Sequence, residues 1–321
     1  MAQTPLVTAM ACMTVAAADP ASLFKLLREG MGWEVCAEGA VDEGVSRLWG
    51  VSGAENHGPF FLLRSPGAEL GMIRIVRGTD RFPERPIGAR WSGVEIVVMN
   101  DIDGLYERLA AMPEFQVTRP PDNADFSDVG ANIHRFFHGR ASGGTHLMFT
   151  MEVTKPRDYA FPAAEAQVGH VFSIPLVSTD YATSRRFYEN DLAMVSVLDD
   201  HLTGGIWHET WDLPEGTPVD LSILKGNAPG FGWGGVELQG YEPAVVDPVP
   251  WSRDRLDGGA CLATFTADDI DATYRALEGS TRCTCLGRPV PIDAPPYNGG
   301  RVFAAIGPNG ERLEFCERFA V

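Results

Sequence analysis

The chain has 321 residues, 45% of them apolar and 21% charged, enough for two domains or one large one with a full core. Its formal net charge is −17, with 43 Asp and Glu against 26 dispersed Lys and Arg. Such a surface disfavours nucleic acid and anionic membrane as partners, because phosphate recognition needs clustered cations.

Residues 6–17 alternate weakly and read as a strand. Asp19-Pro20 then supplies an N-cap and a proline at the first helical position, and the helix over 21–31 buries Phe24, Leu27 and Met31. Residues 33–36 begin a second strand, with two more at 60–63 and 72–76, while 40–58 are Gly-rich and have no clear period. A second unit starts at Gly93 with a strand, continues in a helix led by Asp101, and closes in a hairpin over 134–149. Residues 119–130 between them read as a loop by composition. The stretch 151–168 carries two prolines and no period, which places a domain boundary there.

The second half repeats the plan. A strand over 170–177 precedes a helix capped by Asp180, and strand-like pieces follow at 194–199, 205–211 and 219–225. The segment Trp233-Gly-Gly-Val-Glu-Leu resembles the earlier Trp91-Ser-Gly-Val-Glu-Ile, and a proline-rich insertion (241–257) separates it from the last unit. That unit has a strand over 261–266, a helix led by Asp269, and a hairpin turning at Gly307-Pro308-Asn309-Gly310. The helices led by Asp101 and Asp269 align residue for residue, and Leu147 and Phe149 match Leu313 and Phe315. The expected fold is therefore α+β: four βαβββ modules in two pairs, with curled mixed sheets enclosing a cavity and helices outside. Residues 1–152 would form one half and 168–321 the other, likewise of two modules and the active half, with 153–167 as linker.

Six cysteines in this length are not a disulfide framework, and Cys283 and Cys285 sit too close for a zinc knuckle. Free thiols fit a reducing cytosol, and the opening MAQTPLVTAMACMTV lacks the basic segment of a signal peptide. A cytoplasmic protein with a small-molecule substrate, and a homodimer as the one assembly kept open, is the expectation.

Four paired modules of this kind, ending in YNGGRVFAAIGPNGERLEF, resemble the vicinal oxygen chelate superfamily of glyoxalases, bleomycin-resistance proteins and extradiol ring-cleaving dioxygenases. The closing segment is similar to that superfamily's G-R-x-x-x-x-x-D-P-D-G-N-x-I-E-L end, with Gly307 where Asp is usual. The resemblance implies a divalent metal held by His, Gln or Glu from first strands and final strands. Glu314 matches the final-strand carboxylate, Met148 is its counterpart in the first half, Ser173 falls at the first-strand position of the third module, and Cys261 or Leu262 at that of the fourth. His170 lies three residues before Ser173 with opposite parity, so His170 and Glu314 are the metal candidates. The linear match lacks the second histidine of a two-His, one-carboxylate set. The cofactor expectation is thus none, or a weakly held divalent metal (Fe, Zn or Mn).

Strand alternation puts Glu314 opposite Leu313 and Phe315, where a carboxylate fronts a cavity or solvent. The catalytic candidates are Glu314 as base, with His208, Tyr297 and Arg301 sharing its cavity; Tyr donates to an oxyanion and Arg clamps a carboxylate. Glu209 is a further cavity candidate, whereas His134 and His138 read as structural or surface residues. The expected activity is acid–base chemistry, lyase or isomerase, on a small oxygenated aromatic metabolite. An Fe(II) extradiol dioxygenase and a non-catalytic sequestering protein are the alternatives.

Overall fold

The computed structural model describes residues 4–52, 57–88, 90–126, 132–154, 164–228, 234–246 and 254–319. Trp233, most of the linker and the centre of the 241–257 insertion lie outside them.

Four modules follow one another. The first holds β1 (Met10–Ala17), α1 (Pro20–Lys25), β2 (Glu34–Val41), α2 (Glu43–Leu48), β3 (Gly58–Arg64) and β4 (Met72–Arg77). The second holds β5 (Val94–Val98), α3 (Ile102–Ala110), β6 (Phe115–Asp125), β7 (Ile133–Ala141) and β8 (His146–Glu152). In the third are β9 (Val168–Ser178), α4 (Tyr181–Arg186), β10 (Val195–Leu202), α5 (Ile206–Trp211), β11 (Val219–Lys225) and β12 (Gly235–Tyr241). The fourth comprises β13 (Gly259–Thr266), α6 (Ile270–Glu278), the short β14 (Thr284–Cys285) and β15 (Val290–Pro291), β16 (Arg301–Ile306) and β17 (Arg312–Cys316).

The four Asp caps form as read. Asp19, Asp101, Asp180 and Asp269 each accept a backbone N–H of the following turn, at 2.9–3.2 Å, which satisfies donors a helix start would otherwise leave unpaired. Gly307 stands in the place of the expected Asp because Glu311 fills it. A Cβ at Gly307 would collide with the Glu311 carboxylate, which itself accepts the Asn309 N–H at 2.8 Å.

Two curled mixed sheets result. Sheet A runs β14-β16-β17-β13-β1-β4-β3-β2, with β15 on β16, and sheet B runs β10-β11-β12-β9-β5-β8-β7-β6. The sheets do not follow the division into 1–152 and 168–321. Module one joins module four through antiparallel β1 and β13, and module two joins module three through antiparallel β5 and β9. The outer edge of each module's first strand is unpaired until another module covers it, and the repeat pattern does not say which module does so. One continuous apolar cluster, including Met13 and Phe265 of sheet A with Ile96 and Leu176 of sheet B, binds the two sheets together.

Three local expectations change. Residues 119–125, read as loop, continue β6, because pairing with β7 overrides the turn-like composition. Residues 42–48 of the unplaced stretch form α2, capped by Asp42. Residues 206–211, read as a strand, form α5. Gly205 at φ +77 breaks the preceding extended run, and Asp212 closes the helix in the left-handed region. The i, i+4 spacing then puts Trp207 and Trp211 on one helix face.

Candidate functional site

Glu314 is buried on β17 and both its oxygens are occupied. Oε1 accepts from Arg74 Nη2 (3.0 Å) and Thr264 Oγ1 (2.8 Å), while Oε2 accepts from Tyr297 OH (2.8 Å) and Trp49 Nε1. Arg74 also donates to Thr14 Oγ1 (2.9 Å) and Tyr297 OH (2.6 Å), and its guanidinium lies 4.6 Å over the Trp49 ring. Burial pushes the Tyr297 hydroxyl well above its usual range, so it stays a donor. This network is closed. It leaves Glu314 no lone pair directed at a ligand, and its cation is the protein's own.

The remaining sequence candidates are not gathered around it. Arg301 is on the surface, paired with Glu317 (2.6 Å) and Asp271 (3.0 Å). His208 is buried in α5 of the other sheet, where Nε2 donates to Thr217 O at 2.6 Å. His170 is buried in β9 and Glu209 is exposed, meeting Arg119 at 3.2 Å. Of the four proposed catalytic residues, only Glu314 and Tyr297 touch.

One concavity lies in sheet B. It is a cleft with about 490 Å³ of empty space, its mouth included, lined by Glu95 (β5), Glu237 (β12), Met148 and Thr150 (β8), His134, Phe136 and His138 (β7), Ala124 and Phe126, and by Ile206, Trp207, Thr210 and Trp211 of α5. On its floor the Glu95 and Glu237 carboxyls are neighbours, close enough to interact electrostatically. Thr150 Oγ1 donates to Glu95 (2.9 Å) and Gln239 Nε2 to Glu237 (2.7 Å). Behind Gln239, Tyr241 OH donates to its amide oxygen (3.0 Å) and in turn accepts from Trp207 Nε1 (3.4 Å). Burial, then the neighbouring carboxylate, raises Glu95 well above the ordinary carboxylate range; burial raises Glu237 too. The two carboxyls therefore hold their protons more tightly than free carboxyls do.

The histidines read as structural or surface residues are in fact buried on the cleft wall. Desolvation pushes His134 down to about 4 and His138 well below its usual value, so both are neutral. His138 stacks on Trp211 with centroids 5.7 Å apart, and neither His138 Nδ1 nor Trp211 Nε1 has a hydrogen-bond partner. A buried donor or acceptor left so costs about 1–3 kcal/mol, and a ligand in the cleft would recover it.

The metal implied by the resemblance is not matched by these donors. The first-strand and last-strand positions in sheet B carry Glu95, Met148, Ser173 and Glu237, of which only the two glutamates are of the implied ligand types, and both already accept hydrogen bonds from Thr150 and Gln239. A thioether is a poor ligand for a hard cation. Among the described residues no three His, Cys, Asp or Glu side chains converge. Two neighbouring carboxyls are what remains.

Glu95 and Glu237 escaped the sequence reading although a signal existed. Each sits inside an apolar strand run, Gly-Val-Glu-Ile and Gly-Val-Glu-Leu, and a carboxylate there is buried on one face or the other.

No protein-family profile and no curated protein matches the sequence. Solved structures do match. Glyoxalase I from Zea mays is 15% identical over 96% of this chain and 92% of its own, with a TM-score of 0.63. A putative dioxygenase from Bacillus subtilis subsp. subtilis str. 168 is 11% identical over 98% and 86%, with a TM-score of 0.60. At these identities the likeness is one of fold. The chain has the four-module fold of the glyoxalase, bleomycin-resistance and dioxygenase (vicinal oxygen chelate) superfamily.

Proposed function

We propose that the chain is an enzyme of acid–base type, a lyase or isomerase, which acts on a small planar, largely apolar metabolite in the sheet B cleft. The observation that carries this reading is the neighbouring carboxyls of Glu95 and Glu237 on the floor of a cleft walled by Phe126, Phe136, Trp207 and Trp211. A carboxyl raised toward neutrality is matched to proton transfer at working pH. Deprotonated Glu95 or Glu237 accepts a proton from one atom of the bound molecule and returns it at another. Thr150 and Gln239 fix the two carboxyls, and the Tyr241–Trp207 hydrogen bonds fix Gln239. Neutral His134 and His138 add polar contacts without adding charge, and Trp207 and Trp211 exclude water over the pair.

Turnover of a panel of aromatic carbonyl compounds and phenols, followed in wild type, Glu95→Gln and Glu237→Gln, tests this. Each substitution keeps shape and hydrogen bonding but not basicity, and is expected to lower kcat by about 10²–10⁴-fold. Tight binding without conversion would make the cleft a sequestering site instead. Unchanged kcat in both variants would remove the pair from the chemistry.

A further inference from the structure

The two sheets are two versions of one arrangement. In sheet A, Thr264 pairs with Glu314 on one side and with Cys12 on the other, and Cys12 pairs with Met72, two residues before Arg74. In sheet B, Glu95 pairs with Met148 and with Ser173, and Ser173 pairs with Gly235, two residues before Glu237. Register therefore places Glu95, Met148 and Glu237 where Thr264, Glu314 and Arg74 stand. The helix between the second and third strands also recurs: Trp49 follows α2 and caps the Arg74 guanidinium, and Trp211 ends α5 on the cleft wall.

Sheet A thus carries its own ligand, a planar cation held by a carboxylate and covered by an indole. Sheet B has lost that cation, because Glu237 replaces Arg74, and has gained a second carboxyl. We infer that the sheet B cleft binds a planar organic cation, an amidinium, guanidinium or protonated aromatic amine, seated between Glu95 and Glu237 and covered by Trp207 and Trp211 as Arg74 is covered by Trp49. This rests on the reading of the cleft as the functional site and names the charge class of its ligand.

The rest of the lining agrees. Its ionisable groups are Glu95, Glu237, His134 and His138. The nearest guanidinium, Arg119 of β6, lies 5.7 Å over the Phe136 ring and pairs with Asp122 (3.0 Å) and Glu209 (3.2 Å). A second, roomier hollow shares Ala124, Phe126, Ile206 and Trp207 with the cleft and adds Asp125 and Asp200, but no cationic side chain. An anionic ligand would meet two carboxyls, and Arg119 at the wall is already paired with Asp122 and Glu209. A cation replaces the protons they hold, and an aromatic wall adds cation–π attraction.

Calorimetry with three probes of one shape tests this: benzamidinium, benzamide and benzoate. The expected result is benzamidinium binding at least about tenfold tighter than benzamide, with benzoate weaker still. The preference should collapse in Glu237→Gln and in Glu95→Gln, and proton release should accompany benzamidinium binding to wild type. Benzamide or benzoate binding as well as benzamidinium, lost on Trp211→Ala, would overturn the cation inference and keep the cleft as the site. Benzamidinium binding that survives both Gln substitutions would place the cation elsewhere and overturn the inference. No binding of any probe would overturn both the inference and the cleft.

Discussion

Arg74 Nη2 lies 3.0 Å from Glu314 Oε1, with both side chains sealed from solvent. The carboxylate that the sequence offered as base or metal ligand is here neutralised by a guanidinium from β4. Removing either partner leaves a buried charge alone, so Glu314→Gln or Arg74→Met is expected to cost about 3–5 kcal/mol. The double substitution Arg74→Met/Glu314→Leu should cost less than either single change. Urea unfolding measures this. Benzamidinium binding by the folded fraction should be unchanged, since the cleft is in the other sheet.

The carboxyl pair makes stability depend on pH with a definite sign. Glu95 and Glu237 are raised in the fold above their usual value of 4.5, so the folded chain holds their protons more tightly than the unfolded chain does. Their contribution is fully present below that value and is lost as pH rises through the raised ones. Glu237→Gln removes one of these titrations and the repulsion. Its Tm minus that of wild type should therefore grow from about pH 4 to about pH 8. The buried histidines work in the opposite direction, losing stability as pH falls, but they are common to both proteins and cancel in the difference. A Tm difference that shrinks with rising pH would show that the pair is not raised.

His208 belongs to the frame of α5. Its Nε2 donates to Thr217 O, tying the helix to the turn before β11. His208→Ala should lower stability by about 1–3 kcal/mol, and kcat measured well below the new Tm should stay within about twofold of wild type, far from the loss expected of a general base. A fall in kcat comparable to that of Glu237→Gln would return His208 to the chemistry.

Chelation should leave the activity in place. Glu95, Met148, Ser173 and Glu237 are not a transition-metal donor set, so dialysis against EDTA, checked by elemental analysis, is expected to change turnover by less than about twofold. Loss of activity restored by one divalent ion would contradict this.

Much of the fold was legible in local chemistry. Asp19, Asp101, Asp180 and Asp269 mark helix starts wherever they stand, and the Gly307–Gly310 turn fixes the last hairpin. What was not legible is long-range. Nothing in β1 or β5 says whether its free edge meets the neighbouring module or the distant one, so the pairing of modules one with four was missed. Trp207 and Trp211 share a face as well in a strand as in a helix, and only Gly205 and Asp212 decide. Glu314 alternates with Leu313 and Phe315 as read, but what stands in front of it is Arg74, 240 residues away in sequence. Glu95 and Glu237 were visible as charges inside apolar runs, and their meeting was not, since β5 and β12 touch only through β9.

The central claim is that ligands enter sheet B and not sheet A. Crystals soaked with a panel of cationic, neutral and anionic aromatic fragments test it most directly, without presuming the reaction or the ligand's charge. The account predicts fragment density against Glu95, Glu237, Trp207 and Trp211, with the Arg74–Glu314 network undisturbed. Fragments seated beside Glu314 and Tyr297, with the sheet B cleft empty, would contradict it.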